Sequence, residues 1–430
     1  MLSSAVFYGI GSLKVLPFLA AFSLAVWLFG RLTAVRHHRI VFVFAVVSAL
    51  LPLCLLKYTG LSRSFVVPLG ISYFTFKAVS YLVDIRRGDC EAERDPLIVM
   101  TYLMFFPEIM IGPIDRAASL MGQLKAERPP LRADNIGAGA LLFLFGCLEK
   151  MAAADRLGLA VDLILGDLDT YHGLSVAAAA LMYSLQIYFD FAGCSAMAIG
   201  IGRMMGFRLA ENFRQPYLAV SVVDFWRRWH ISLTSWLRDY VYIPLGGSRR
   251  GPWRRRLNVL LVFLVSGIWH GAGIHYIVWG LLNGLFQVAE GAVGGGSRGR
   301  SRKRGPLAVW LGRGRVFILM SAAWIFFRAP SFREALRILG SLVRAGGAFR
   351  DEAGLLWGLS NPSWILLLIL ILLITVVDLL REYRGISADS LMRLPFAVRC
   401  FIFYGLIFSV IVFGLYGTAY DAAGFIYLQY

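Results

Sequence analysis

From residue 15 to residue 416 the chain keeps returning to apolar runs, at 15–30, 40–56, 65–83, 97–112, 136–149, 157–166, 173–190, 193–206, 257–269, 274–289, 307–327, 363–380 and 396–416. A bilayer crossing needs about 20 apolar residues, whereas a run of about 10–14 is re-entrant or interfacial. Irregular backbone at membrane depth survives only where protein or a water-filled cavity covers it. The runs therefore predict an all-α polytopic membrane protein of roughly 10–12 transmembrane helices plus re-entrant or interfacial helices, with a cavity among them.

Composition points the same way: 58% of the 430 residues are hydrophobic and only 16% charged, with a mean hydropathy of +0.67. That excludes disorder, a collagen, a disulfide scaffold and a nucleic-acid module, and it fits one membrane domain over residues 1–430. The net charge of +17 then reports topology, because Lys and Arg concentrate in cytoplasmic loops. Cys54, Cys90, Cys147, Cys194 and Cys400 are scattered without C-x-x-C spacing, which argues against disulfides and zinc. No internal repeat appears, which counts against an inverted-repeat transporter.

Two basic clusters, Arg249, Arg250, Arg254, Arg255, Arg256 and then Arg298, Arg300, Arg302, Lys303, Arg304, are expected in the cytoplasm. The second lies in a Gly/Ser-rich linker, 291–306, the best hinge in the chain. The first apolar run is followed at once by Arg31, Arg36, His37, His38, Arg39 and another run, so it is expected to be a retained helix rather than a cleaved signal.

Between the clusters there is room only for a helical hairpin. Its first arm, Leu257 to Trp269, rises ~20 Å, about two-thirds of a ~30 Å core, and so places His270 inside the membrane. Gly271, Ala272 and Gly273 have little bulk, so a ligand or backbone is expected to come close to His270, whose imidazole is expected to have little packing role. An intramembrane ionisable residue is a functional-site hypothesis by default. A neutral imidazole can take a hydroxyl proton while its other nitrogen is held, which suits acyl transfer.

Residues 212–248 are the least membrane-like stretch, yet carry Trp226, Trp229, Trp236, Arg227, Arg228, His230, Arg238 and Asp239. The tryptophans recur at intervals of three and seven, which puts them on one helical face, as headgroup anchors or packing. His37 and His38 read as loop residues, and His172 and His275 as supporting at most. Asp115, after Gly112-Pro113, reads as structural. Asp190, between aromatics, needs an Arg or helix N-terminal amides as partner. No phosphate-cradling loop, G-x-S-x-G, H-E-x-x-H or clustered carboxylate pair is present.

The segments Tyr183-Ser-Leu-Gln-Ile-Tyr-Phe-Asp-Phe191, Glu211-Asn-Phe213, Asp224-Phe-Trp-Arg-Arg-Trp-His-Ile-Ser232, Trp236-Leu-Arg-Asp-Tyr240, Tyr242-Ile-Pro-Leu-Gly-Gly-Ser-Arg249 and Gly267-Ile-Trp-His-Gly271 together resemble the membrane-bound O-acyltransferase family. The likeness is closest to its bacterial alginate O-acetyltransferase branch, and its core runs over about 183–290. It extends to Pro68-Leu-Gly-Ile-Ser-Tyr73, Gly112-Pro113, Trp324-Ile-Phe-Phe-Arg-Ala329 and Phe425-Ile-Tyr427. The resemblance implies a ring of helices around a central funnel in the bacterial cytoplasmic membrane, with the acyl donor entering from the cytoplasm. By motif, His270 takes the family's catalytic position and His230 a supporting one.

The resemblance also implies acetyl-CoA as donor substrate, no bound cofactor or metal, a polysaccharide acceptor, and an extracytoplasmic serine-esterase-like acetyltransferase as partner. Contacts with membrane lipids are expected, and none with nucleic acid. Arg227, Arg228 and Arg238 are expected to meet the donor's phosphates, since guanidinium groups pair bidentately with phosphate. Asn212, Trp226, Trp229 and Asp239 complete the expected substrate-binding set. A related branch moves D-alanine to teichoic acid, but the Ile-Pro-Leu-Gly-Gly-Ser-Arg continuation after Tyr242 favours acetyl transfer.

Overall fold

The computed structural model describes residues 1–36, 38–59, 68, 70–109, 111–127, 131–293 and 305–416. His37, most of the 291–306 linker with its basic cluster, and Phe425-Ile-Tyr427 lie outside the described residues. Among those described, helices account for all regular structure apart from isolated bridges at Arg350, Leu356 and Leu359.

In chain order the helices are α1 (Leu2–Gly11), α2 (Val15–Arg36), α3 (Arg39–Tyr58), α4 (Ile71–Arg87), α5 (Pro96–Leu103), α6 (Phe106–Ile109), α7 (Ala117–Lys125), α8 (Ala133–Cys147), α9 (Asp155–Gly166) and α10 (Leu174–Met204). They continue with α11 (Val222–Arg228), α12 (Ile231–Leu237), α13 (Gly251–His270), α14 (Ile274–Val293), α15 (Pro306–Arg328), α16 (Phe332–Ser341), α17 (Asn361–Arg384), α18 (Ala388–Met392) and α19 (Phe396–Phe413). Two π-helical stretches, Leu148–Ala154 and Arg238–Tyr242, follow α8 and α12.

Among the described residues seven helices are long and apolar enough to cross a membrane: α2, α3, the rod Ala133–Gly166, α10, α15, α17 and α19. Two mergers account for part of the difference from roughly ten to twelve, and the helices over the runs at 65–83, 97–112, 257–269 and 274–289 are not among the seven. The runs at 136–149 and 157–166 are one rod, because the π stretch keeps the backbone hydrogen-bonded where helix breaks were expected. The runs at 173–190 and 193–206 likewise form the single 31-residue α10.

The helices cluster into two compact units, Met1–Ala140 with Ala198–Glu211, and Leu141–Met197 with Asn212–Tyr430. In the first, α2 packs on α3, α4 and α5. Its buried polar centre is an ion pair of Lys77 Nζ with Glu108 Oε2 at 2.5 Å, with Lys77 also over the Tyr102 ring. Asp115 is buried, and its carboxylate oxygens each lie 3.3 Å from the Ala210 amide nitrogen, which donates to them.

In the second unit α13 and α14 form the expected hairpin, turning at 271–273 and packing at very close range. The closeness depends on two glycines: a Cβ on Gly267 would strike the Tyr276 carbonyl, and one on Gly280 the Phe263 carbonyl. Small residues at a membrane helix interface let backbones approach and gain van der Waals contact where lipid supplies no hydrophobic drive. Asp190 has a partner, though a lysine instead of an arginine or amides: Lys150 Nζ lies 2.7 Å from it and 2.6 Å from Asp155.

Candidate active site

Every sequence-derived site residue falls in the second unit. α11 starts where Ser221 caps the Asp224 amide, and the Glu290 carboxylate accepts from the Val222 amide at 2.8 Å. Both satisfy amides that a helix start leaves orphaned. The helix ends at Arg228, and the chain passes through His230 in a left-handed conformation (φ 43°, ψ 54°) before α12 begins. For a residue with a Cβ that region costs about 1–2 kcal/mol, so the surroundings must hold it.

They do so through Asn212, which is completely buried. Its backbone carbonyl accepts from Ile231 N at 2.9 Å, and Arg214 N donates to the Arg228 carbonyl at 2.9 Å. Its side-chain oxygen lies 3.0 Å from His230 Nδ1 and accepts from the Ser232 hydroxyl at 2.9 Å, while its Nδ2 donates to Ser195 Oγ at 2.9 Å. The His230 ring is buried, sits edge-on to Phe191 at 4.7 Å, and has no hydrogen-bond partner at Nε2 among the described residues. Burial holds its imidazole far below the ordinary histidine range, at about 3, so the ring is neutral at physiological pH.

The left-handed turn also corrects the tryptophan stripe. Trp226 lies on α11, Trp229 at its end and Trp236 on α12, so the three occupy two short helices rather than one helical face. Trp226 is locked, its Nε1 donating to Asn283 Oδ1 at 3.2 Å, and Asn283 in turn donating to the Trp279 carbonyl at 2.8 Å. Trp229 stacks on Phe225 at 5.4 Å and packs against Phe213 and Trp324. Trp236 lies against Tyr240 at 5.0 Å.

His270 is the last residue of α13 and is buried. Two expectations about its surroundings change. The space left by Gly271 is filled by the Tyr276 ring and that left by Gly273 by His275, so the turn is packed from within. The imidazole also packs edge-on against Trp269 (4.5 Å), Trp279 (4.9 Å) and Phe327 (5.1 Å), a packing role the sequence did not reveal. The two histidines are linked by aromatic contacts: Trp229, beside His230, meets Trp324 at 5.0 Å; Trp324 stacks on Trp279 at 5.7 Å; and Trp279 meets His270.

The arginines separate by environment. Arg227 is exposed. Arg228 is held by Glu382 through two hydrogen bonds of 2.8 and 3.0 Å and by Asp224 at 3.1 Å. Arg238 is exposed and pairs with its neighbour Asp239 at 2.8 Å. The sequence reading missed Ser195, Trp279, Asn283, Trp324 as an aromatic link, and Glu382. Ser195 carried a signal, since it lies one helical turn after Phe191 on α10 and hence on the face that meets His230.

The membrane-bound O-acyltransferase family matches residues 55–327. The chain is similar to a probable alginate O-acetylase of Pseudomonas fluorescens, 39% identical over 280 residues that make up 65% of this chain and 55% of that protein. It is also similar to a peptidoglycan O-acetyltransferase of Helicobacter pylori, 33% identical over 307 residues, 66% of this chain and 58% of that one. A teichoic acid D-alanyltransferase of Bacillus subtilis is 32% identical over 273 residues, 57% of this chain and 67% of that one. The chain thus spans little more than half the length of the first two relatives.

Proposed function

The chain belongs to the membrane-bound O-acyltransferase family, and from that premise we propose that it moves an acetyl group from acetyl-CoA to a hydroxyl of an extracytoplasmic polysaccharide or cell-wall polymer. The observation that carries the reading is the pair of buried histidines, His230 and His270, joined through Trp229, Trp324 and Trp279 in a chain that has, among the described residues, seven helices long and apolar enough to cross a membrane.

In the proposed reaction His270 acts as general base: the acceptor hydroxyl gives its proton to the imidazole as its oxygen attacks the thioester carbonyl. The C–O bond forms, the C–S bond breaks, and the leaving thiolate takes the proton from the imidazolium. His230 offers its Nε2 lone pair as an orienting acceptor. In this reading the exposed Arg227 and Arg238 meet the donor phosphates, whereas Arg228 is engaged by carboxylates. A bacterial cytoplasmic-membrane location and an extracytoplasmic serine-esterase-like partner complete the proposal.

The sequence similarity to O-acetyltransferases, 39% and 33%, against 32% for the D-alanyltransferase, favours acetyl over D-alanyl transfer. The test is incubation of the reconstituted protein with radiolabelled acetyl-CoA and candidate acceptors. Thiol release with label entering an acceptor is expected and should disappear in His270→Gln. Labelling only from a D-alanyl-loaded carrier protein would move the chain to the other branch. Acceptor passage without labelling would make it a transporter.

A further inference from the structure

Resting on the reading of His230 as a group that meets substrate, we propose that Asn212 is a positioning residue that fixes His230 as the Nδ1–H tautomer and so presents the Nε2 lone pair to the reacting groups. The sequence had placed Asn212 among the substrate-binding residues, but every polar atom of its side chain is taken up by the protein. Oδ1 receives the Ser232 amide at 3.4 Å, the Ser232 hydroxyl at 2.9 Å and His230 Nδ1 at 3.0 Å, while Nδ2 donates to Ser195 Oγ.

A backbone N–H only donates, so its direction toward Asn212 identifies the atom it meets as the amide oxygen. An amide oxygen only accepts, so His230 Nδ1 must carry the proton. A flipped Asn212 would turn its NH2 on the Ser232 amide N–H; a flipped imidazole would leave Oδ1 facing a C–H. Both alternatives cost hydrogen bonds in a completely buried site. His230 Nε2 is thereby the lone-pair nitrogen, and it is the side-chain atom of this cluster without a protein partner among the described residues.

The identity of the orienting group matters. His230 forms no ion pair with a carboxylate among the described residues; it is held by a neutral amide in a site ringed by Phe191, Trp229 and two serines. A carboxylate in the same place would favour the imidazolium, which has no lone pair to offer. An amide fixes the tautomer and keeps the ring an acceptor. The left-handed backbone at His230 brings its Nδ1 to Asn212 while Ile231 N binds the Asn212 carbonyl, so residue 212 anchors both the backbone and the ring.

The test reads tautomer and turnover separately. In 15N-histidine-labelled protein in lipid bilayers, the His230 signals are those lost in His230→Gln. The wild type is expected to show Nδ1 protonated and Nε2 bare at neutral pH. Asn212→Leu is expected to lose that preference and to lower kcat for acetyl-CoA thiol release about 10–100-fold, the usual cost of losing a partner that orients a functional histidine, with the acetyl-CoA KM unchanged. Asn212→Asp still accepts from Nδ1–H but is expected to favour the imidazolium, so that the Nε2 lone pair and the turnover are lost at a higher pH than in the wild type; it also serves if the leucine variant does not fold. A protonated Nε2 in the wild type, or a tautomer unchanged in Asn212→Leu, overturns the proposal. A wild type silent toward acetyl-CoA counts against the acetyl-transfer reading instead, and the tautomer comparison still decides the role of Asn212.

Discussion

Glu382 grips the Arg228 guanidinium with both carboxylate oxygens, at 2.8 and 3.0 Å, and thereby ties α17 to the end of α11, one residue before Trp229. The pair is only partly exposed and Asp224 completes it, so it is worth more than a surface ion pair. Arg228→Lys cannot reproduce the two-pronged contact. It is expected to lower the thermal unfolding temperature of detergent-solubilised protein by a few degrees while leaving the acetyl-CoA KM unchanged. A raised donor KM with unchanged stability would restore Arg228 to the donor site.

His270→Gln is expected to reduce acetyl transfer by about 10²–10⁴, the usual cost of losing a general base. The aromatic contacts with Trp269, Trp279 and Phe327 mean that His270→Ala should also reduce stability, because each ring pair contributes about 0.5–1.5 kcal/mol beyond its buried area. Thermal unfolding and turnover measured on both variants separate the roles. Near-wild-type turnover in the glutamine variant with normal folding would remove His270 as the base.

The helical class and the hairpin were legible because each follows from local pattern: apolar runs and a glycine-bearing turn. What stayed hidden depends on backbone geometry or on partners distant in sequence. The tryptophan spacing reads as a single helical face unless one knows that His230 is left-handed, and nothing local announces that. Asn212 reads in the sequence as a substrate-binding residue, and only the fold brings Ser195, Ser232 and His230 from other elements to its amide. Arg228 looks like a phosphate ligand until Glu382, more than a hundred residues away, takes it.

Gly280 is where the hairpin is least tolerant, since a Cβ there would enter the Phe263 carbonyl of the facing helix. Gly280→Ala should therefore destabilise by about 1–3 kcal/mol through overpacking, even though alanine is the better helix former. Gly314→Ala on α15, where a Cβ meets nothing within 4 Å, should be neutral or stabilising. Equal unfolding temperatures for the two variants would mean that the α13–α14 contact is looser than described.

The neutral His230 makes an acid-side prediction whose sign can be worked through. In the native protein the ring stays unprotonated down to about pH 3, whereas in the unfolded chain it takes a proton near its ordinary value of 6.5. Between those values the unfolded state binds the extra proton, so stability falls as pH drops below about 6.5 and, for this group, is level above it. His230→Gln has no proton to take and should show a shallower loss over the same interval. Reversible denaturant titrations of both proteins in detergent at pH 5.0 and 7.5 give the comparison. Identical losses would place a different group behind the acid sensitivity, and a larger loss in the glutamine variant would mean that His230 is charged in the native state.

Orientation follows from the basic residues at the start of α13, where Arg249, Arg250, Arg255 and Arg256 are all exposed. Positive side chains flanking a span are retained in the cytoplasm, and five arginines within eight positions (249–256) give a strong bias. Ser248 stands beside them, just before the helix begins. A single cysteine at Ser248, in a background with Cys54, Cys90, Cys147, Cys194 and Cys400 replaced, should react with a membrane-impermeant maleimide only after the cytoplasmic membrane is opened. If α15, which is long and apolar enough to cross, begins on that cytoplasmic side, its far end at Arg328 is expected on the opposite face, and a cysteine at exposed Ser331 should react in cells whose cytoplasmic membrane is intact. Agreement at both positions gives the orientation that the proposed passage from a cytoplasmic donor to an outer acceptor requires. Labelling at Ser248 in intact cells would reverse the orientation and remove the cytoplasmic entrance from the proposed reaction.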